Sequence, residues 1–178
     1  RHNSSANSTS YSFSSVILGS NSVRSDFGSV ESSITGTVLK RVILDKNKNI
    51  TTYDDASVTA TSQTFQSSYP LTLCAVNTAG TKSLYSSLKL YSCQIYDNGT
   101  IVRNFIPCMS PDGIVGLYDT SGGVFYPNNG TGEFVAGEPV IMSCYPVPKN
   151  FIQTEYIQFT GSQWIDTGLK LPSSYKIE

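Results

Sequence analysis

The strongest constraint on the fold is the stretch 88–107, where two alternating runs, LKLYSCQIY and TIVRNFIP, flank Asp97-Asn98-Gly99. Alternation of larger and polar residues is the period of a half-buried strand. Asn-Gly supplies the positive φ angles that a tight type I′ turn requires. The stretch is therefore expected to form an antiparallel hairpin closed at Asn98-Gly99. With a two-residue loop, Asp97 faces Thr100, Ile95 faces Val102 and Cys93 faces Asn104. Ile95, Cys93 and Tyr91 then share one face, with Val102 on it.

The rest of the chain uses the same vocabulary. Residues 11–18 alternate Ser with larger side chains, and 23–27 read as a short strand. Residues 35–44 end at the polar cluster 45–49, and 50–53 return as a hairpin partner. The Thr/Ser-rich run 58–65 reads as an edge strand. The almost wholly apolar run 71–77 reads as a strand covered on both faces. Residues 113–119 and 124–126 form a further pair across Thr120-Ser-Gly-Gly. Residues 138–153 contain Pro139, Pro146 and Pro148 and read as a linker or loop. After them, 155–159 and 164–166 restart a β pattern around Gly161-Ser162. No stretch holds a capped helical period. Roughly ten to thirteen short strands without a helix imply an all-β antiparallel sandwich or barrel.

Composition narrows the function classes. The 178 residues suit one domain, or one domain and a piece of another. Charged residues make up 14% and apolar residues 39%, so this is not a charge-driven disordered chain. A net charge of -1 excludes a strongly basic nucleic-acid footprint. Apolar runs fall far short of the ~20 residues that span a bilayer. No basic-then-apolar leader is visible, and the chain starts at Arg1 as if cut from something longer. The single histidine, His2, reads as a frayed terminal residue, which leaves little room for His-dependent catalysis or His-rich metal sites. A Ser/Thr/Gly/Asn/Tyr-rich chain of this kind suits an extracellular, cell-surface or virion β protein. Cys74, Cys93, Cys108 and Cys144 contain no CxxC, so zinc is not expected. Free core-filling thiols and disulfides, with three possible full connectivities, both remain open.

Five segments carry a resemblance. KLYSCQIYDNGTIVRNFIPC (89–108), PDGIVGLYD (111–119) and FYPNNGTGEFVAG (125–137) together resemble the C-terminal half of concanavalin A-like lectin/glucanase (laminin G-like) jelly rolls. The similarity is to domains of phage structural proteins and of surface proteins from gut Firmicutes. VILDKNKNITTYDD (42–55) resembles the hairpin that precedes this half, and YIQFTGSQWIDTGLK (156–170) resembles the opening strands. The resemblance covers about four-fifths of the chain and is most specific over 89–137. It implies an antiparallel jelly-roll sandwich whose order is permuted or cut out of phase. Residues 1–137 would be its middle and closing strands, 138–153 the linker, and 154–178 the opening strands. Those last strands complete this domain or a neighbouring one. Tyr156, Ile157, Phe159, Trp164 and Ile165 are then the assembly residues.

The chemistry available is that of binding. Glycoside hydrolysis needs two carboxylates flanking the bond, yet no strand carries an acid-x-acid pair. Asp54 and Asp55 are adjacent and point to opposite faces of a strand. The serines lack a base and a GxSxG elbow. Cys144 lacks the electropositive neighbours of a reactive thiolate. Calcium would draw on Asp112 with Asn98 or Asp119, or on Asp54-Asp55, but no EF-hand loop is present and no cofactor is expected. A sugar site would use an aromatic platform with polar loops, because a pyranose has an apolar face and a polar rim. The candidates are Trp164, Tyr126, Tyr118, Tyr53, Asn128 and Asn129, each with core or cross-strand packing as the plain alternative. Phe125 and Tyr126 must point to opposite faces. Asn3, Asn7, Asn49, Asn98 and Asn129 satisfy N-x-[ST], of which Asn98 and Asn129 suit turns.

The expectation is a non-catalytic surface module of lectin-like adhesion or phage-fibre type, binding glycans or cell-surface ligands. The alternative is a structural repeat that builds a filament or spacer with neighbouring copies of itself by strand complementation. A degenerate glucanase is disfavoured by the missing acid pair. Neither nucleic-acid binding nor membrane insertion is expected.

Overall fold

A computed structural model describes residues 41–178, apart from 46, 49, 54–55, 60–68, 142–145 and 173, together with five short strands before residue 41. For those five strands, and for Thr51, Tyr53, Ala56 and Val58, only the backbone is described. Among the described residues there is no helix. The strands before residue 41 are β1 (His2–Asn3), β2 (Ser12–Phe13), β3 (Val16–Leu18), β4 (Ser22–Ser25) and β5 (Glu31–Ser33). The middle of the chain holds β6 (Val42–Asp45), β7 (Ile50–Tyr53), β8 (Ala56–Thr59), β9 (Thr72–Leu73), β10 (Val76–Thr78), β11 (Thr81–Ser83) and β12 (Ser87–Leu90). Then come β13 (Cys93–Asp97), β14 (Thr100–Met109), β15 (Val115–Asp119), β16 (Val124–Pro127) and β17 (Val135–Ala136). The last are β18 (Ile152–Gln153), β19 (Ile157–Thr160), β20 (Ile165–Asp166) and β21 (Tyr175–Ile177).

The largest sheet has nine strands in the order β16-β15-β14-β13-β21-β6-β7-β8, with β18 also on β14. A second sheet has the order β12-β19-β17, and a third pairs β20 with β9. Two more sheets, β11-β10-β1-β2 and β3-β4-β5, draw on the start of the chain. All pairs are antiparallel except β1 on β10. His2, expected to be frayed, has its backbone in β1, opposite Asn77 and Phe13.

One core joins the three sheets that come from the later part of the chain. Cys93, Ile95, Phe105, Leu117 and Tyr175 of the nine-stranded sheet meet Ile157 and Phe159 of β19, Ile165 of β20, and Leu71, Phe134 and Leu171. Phe105, Leu117, Ile157, Phe159, Ile165, Leu171 and Tyr175 are all fully buried. Each such side chain contributes about 1.5–3 kcal/mol of apolar burial.

The Asn98-Gly99 turn forms as the sequence predicts, with φ of 45° and 84°, and Asp97 pairs Thr100. Two details of the hairpin differ. The register shifts between Ile95 and Tyr96, so that Ile95 pairs Arg103 and Cys93 pairs Phe105. In the unbulged register Phe105 would share a face with Gln94 and Asn104 would point at the core. The bulge reverses this, burying Phe105 and leaving Asn104 Oδ1 to accept from Gln94 Nε2 at 3.0 Å. The run 88–96 is also not one strand. Leu88 and Leu90 lean on the core from β12, Cys93 and Ile95 from β13, and Tyr91 at the corner is 41% exposed. The inward positions 88, 90, 93 and 95 slip by one residue where the chain crosses from one sheet to the other.

The run 71–77 is covered on both faces, yet Cys74 at φ 63° divides it between β9 and β10. Pairing of β6 with β7, and of β15 with β16 across 120–123, follows the sequence reading. β8 lies at the edge of its sheet, while 60–65 fall outside the described residues. Residues 35–40 of the strand expected over 35–44 also fall outside.

The Pro-rich stretch 138–153 is paired at both ends. Pro139 bridges Thr154, the Val140 amide donates to Gln153 O at 2.9 Å, and Ile152 pairs Met109. Phe151 places its ring 5.4 Å from Tyr118 and 5.5 Å from Phe125. Residues 154–178 pair inside their own chain: β19 lies between β12 and β17, and β21 between β13 and β6.

Candidate functional site

Loop 128–132 lies along residues 162–166, and the join between them is almost entirely polar. The Asn129 amide donates to Trp164 O at 2.9 Å and the Thr131 amide to Ser162 O at 3.2 Å. Asn128 uses its whole amide group. Its Oδ1 accepts from the Gly130 amide (2.8 Å) and the Trp164 amide (3.2 Å), and its Nδ2 donates to Gly132 O (2.8 Å) and Thr131 O (3.4 Å). Asn129 Oδ1 accepts from the Asp166 amide at 2.8 Å, which leaves its Nδ2 to solvent. Gly130 is required by space: a Cβ there would collide with the Ser162 carbonyl oxygen and lie 2.8 Å from Trp164 Cδ1. Beneath the join, buried Gln163 accepts from the Thr160 amide at 2.7 Å and donates to Glu133 O at 3.0 Å.

The result is a half-buried indole carried on a backbone bonded at both its N–H and its C=O. Ile165, its neighbour, points into the core and pairs Leu73, so Trp164 and Asp166 take the opposite face. Lys82 of β11 reaches over the ring, with Nζ 4.8 Å from the centroid, and donates to Gly80 O at 2.9 Å. Tyr85 donates its hydroxyl to Lys82 O at 3.3 Å and is 42% exposed, beside Leu84 at φ 48°. An aromatic face, an ammonium, a free amide donor and a carboxylate thus sit on one rim. Such a set can bind a ligand with an apolar face and a polar edge.

Three of the six proposed ligand residues meet here: Trp164, Asn128 and Asn129. Asn128 is a positioning residue, because all its hydrogen-bonding capacity is spent within the loop. Tyr126 is on the core face, edge-on to Phe105 at 5.2 Å. Tyr118 and Phe125 occupy the other face of that sheet, against Phe151. The Tyr53 backbone pairs Val42 and Ala56, and its side chain lies outside the described residues. Lys82 and Tyr85 were not foreseen. They precede Trp164 by a long stretch of chain, and no local pattern links them.

The calcium candidates are dispersed. Asp112 is exposed in the turn after β14, Asp119 is fully buried at the far end of β15, and Asn98 is at the tip of the β13–β14 hairpin. Among the described residues no three His, Cys, Asp or Glu side chains group to hold a metal. Asp54 and Asp55 lie outside the described residues. Asp119 is bound to the protein itself: Oδ1 accepts from the Asn104 and Ser121 amides at 2.9 and 3.0 Å, and Oδ2 is 3.6 Å from Arg103 Nε. Arg103 also donates to Thr167 O at 3.2 and 3.3 Å.

Cys74, Cys93 and Cys108 are free thiols, and burial pushes each up to about 12. Cys74 as a residue is only half-buried, but its thiol packs against the core. Cys144 lies outside the described residues. Among the described residues no helix is long and apolar enough to cross a membrane. Comparison with family models, with curated proteins and with solved structures finds no match.

Proposed function

We propose that this chain is a non-catalytic, jelly-roll β-sandwich module of an extracellular, cell-surface or virion protein, and that it binds glycans or other cell-surface ligands at the Trp164 rim. The observation that carries this reading is the half-buried indole on an anchored backbone. Loop 128–132 holds it from one side, Lys82 reaches over it, and the Asn129 amide and the Asp166 carboxylate flank it. An aromatic side chain on an anchored backbone loses less freedom on binding than one on a loose segment. The core shared by the nine-stranded sheet, the β12-β19-β17 sheet and the β20–β9 pair supports the sandwich architecture. Among the described residues the fully buried acid, Asp119, is ion-paired with Arg103, which supports a non-catalytic role.

The filament reading requires residues 154–178 to leave their own chain. Their pairing with β12, β13 and β6 lends it no support. A glycan array probed with the intact chain and with Trp164→Ala tests the proposal. The expected result is a defined set of bound saccharides lost in the variant, with no turnover of β-glucans. An empty array, or hydrolysis abolished by changing a single Asp or Glu, would overturn it.

A further inference from the structure

Resting on that reading of the Trp164 rim, we infer that the ligand is an acidic saccharide whose carboxylate is taken by Lys82. Lys82 and Lys176 are the half-buried lysines among the described residues. Lys176 has its carboxylate, Glu178 Oε2 at 2.7 Å. Lys82 has none within ion-pair distance among the described residues; its contacts are the Gly80 carbonyl and the Trp164 ring. An ammonium has three N–H donors and no acceptor. One donor is committed to Gly80 O, the ring attracts the cation without consuming a hydrogen bond, and donor capacity remains.

The placement also selects against neutral sugars. Any pyranose stacking on the covered part of the indole displaces the ammonium and gives up the cation–π contact, and a neutral one puts no charge against Nζ to offset that loss. A uronic or sialic acid uses both groups: its ring lies on the indole and its carboxylate pairs with Nζ, a charge-assisted contact about twice as strong as a neutral hydrogen bond. Asn129 Nδ2 and the exposed Thr131 then face the ring hydroxyls. Asp166, the nearest acid along this strand, holds Oδ1 on the Gly168 amide at 2.9 Å.

Trp164 is the only tryptophan, so its fluorescence reports occupancy of this rim and no other place. The probes are two matched pairs: trigalacturonic acid against its full methyl ester, and 3′-sialyllactose against lactose. The acidic member of at least one pair is expected to bind about tenfold or more tightly than its neutral partner. That advantage should shrink with added salt, vanish in Lys82→Gln and survive in Lys82→Arg. The pair that shows it identifies uronate or sialate as the source of the carboxylate. Equal binding within both pairs, or an advantage that persists in Lys82→Gln, overturns the inference. If neither pair binds while neutral glycans bind the array through Trp164, the acidic ligand is wrong and the glycan site stands. If the array is also empty, the glycan reading itself has failed.

Discussion

The side-chain oxygen of Asn128 accepts the backbone amide of Trp164 at 3.2 Å, tying loop 128–132 to a strand start that lies 36 residues further on. The same amide group closes the loop on itself through Gly130, Thr131 and Gly132. Asn128→Ala is therefore expected to cost about 1–3 kcal/mol, since several backbone groups lose their partner together. Asn129→Ala gives up one accepted bond and should cost about 1 kcal/mol or less. Urea unfolding of the two variants checks the order, and equal losses would mean that Asn128 does not organise the loop.

The Asn98-Gly99 turn offers a backbone test free of packing effects. Gly99 sits at φ 84°, and a Cβ there would touch nothing within 4 Å. Gly99→Val should still destabilise the chain by about 1–3 kcal/mol, because a β-branched residue is strained at positive φ. A change within about 0.5 kcal/mol would show that the hairpin tolerates another turn.

Arg103 and Asp119 form an ion pair on the inner side of the nine-stranded sheet, with Asp119 fully buried. Asp119→Ala removes the partner of Arg103 and the acceptor of two backbone amides, and is expected to cost about 3–5 kcal/mol. Asp119→Asn keeps an acceptor and should cost less. The double variant Arg103→Met/Asp119→Leu should recover part of the loss, as apolar replacement of a buried pair often does. Thermal melts of the three variants decide the point.

Burial raises the thiols of Cys74, Cys93 and Cys108 from 9.0 to about 12. A folded-state value raised above the unfolded one means that the native chain holds these protons longer. Their contribution is intact below about pH 8.5, where the unfolded thiols are also protonated, and is lost as pH climbs toward 12. In a Cys144→Ser background the native protein should show no fast-reacting thiol at pH 8, and three after denaturation. A fast-reacting thiol in the folded state would contradict this burial.

Deleting 154–178 should abolish cooperative unfolding. The segment contributes Ile157, Phe159, Ile165, Leu171 and Tyr175, all with no exposed surface. At about 2–5 kcal/mol for each of these five buried side chains, the deficit of about 10–25 kcal/mol matches or exceeds the ~5–15 kcal/mol that holds a typical domain. The intact chain should run as a monomer in solution. A folded deletion variant, together with an intact chain that polymerises, would restore strand donation.

The all-β class, the Asn98-Gly99 turn and the β6–β7 and β15–β16 hairpins are legible in the residues alone. These follow from φ preferences and a two-residue period, both of which act within a few positions of the chain. Where the chain changes sheet at 91–92, how the bulge turns Phe105 inward, and how 138–141 pairs with 152–155 were decided only in three dimensions. In each case the local pattern suits several partners, and the choice falls to whichever pairing buries the apolar face. The candidate site divides the same way. Trp164, Asn128 and Asn129 are readable as an aromatic and two turn-forming amides, whereas Lys82 reaches the indole only because β9 and β20 pair beside β10 and β11. A cation placed by sheet packing leaves no trace in the residues around it.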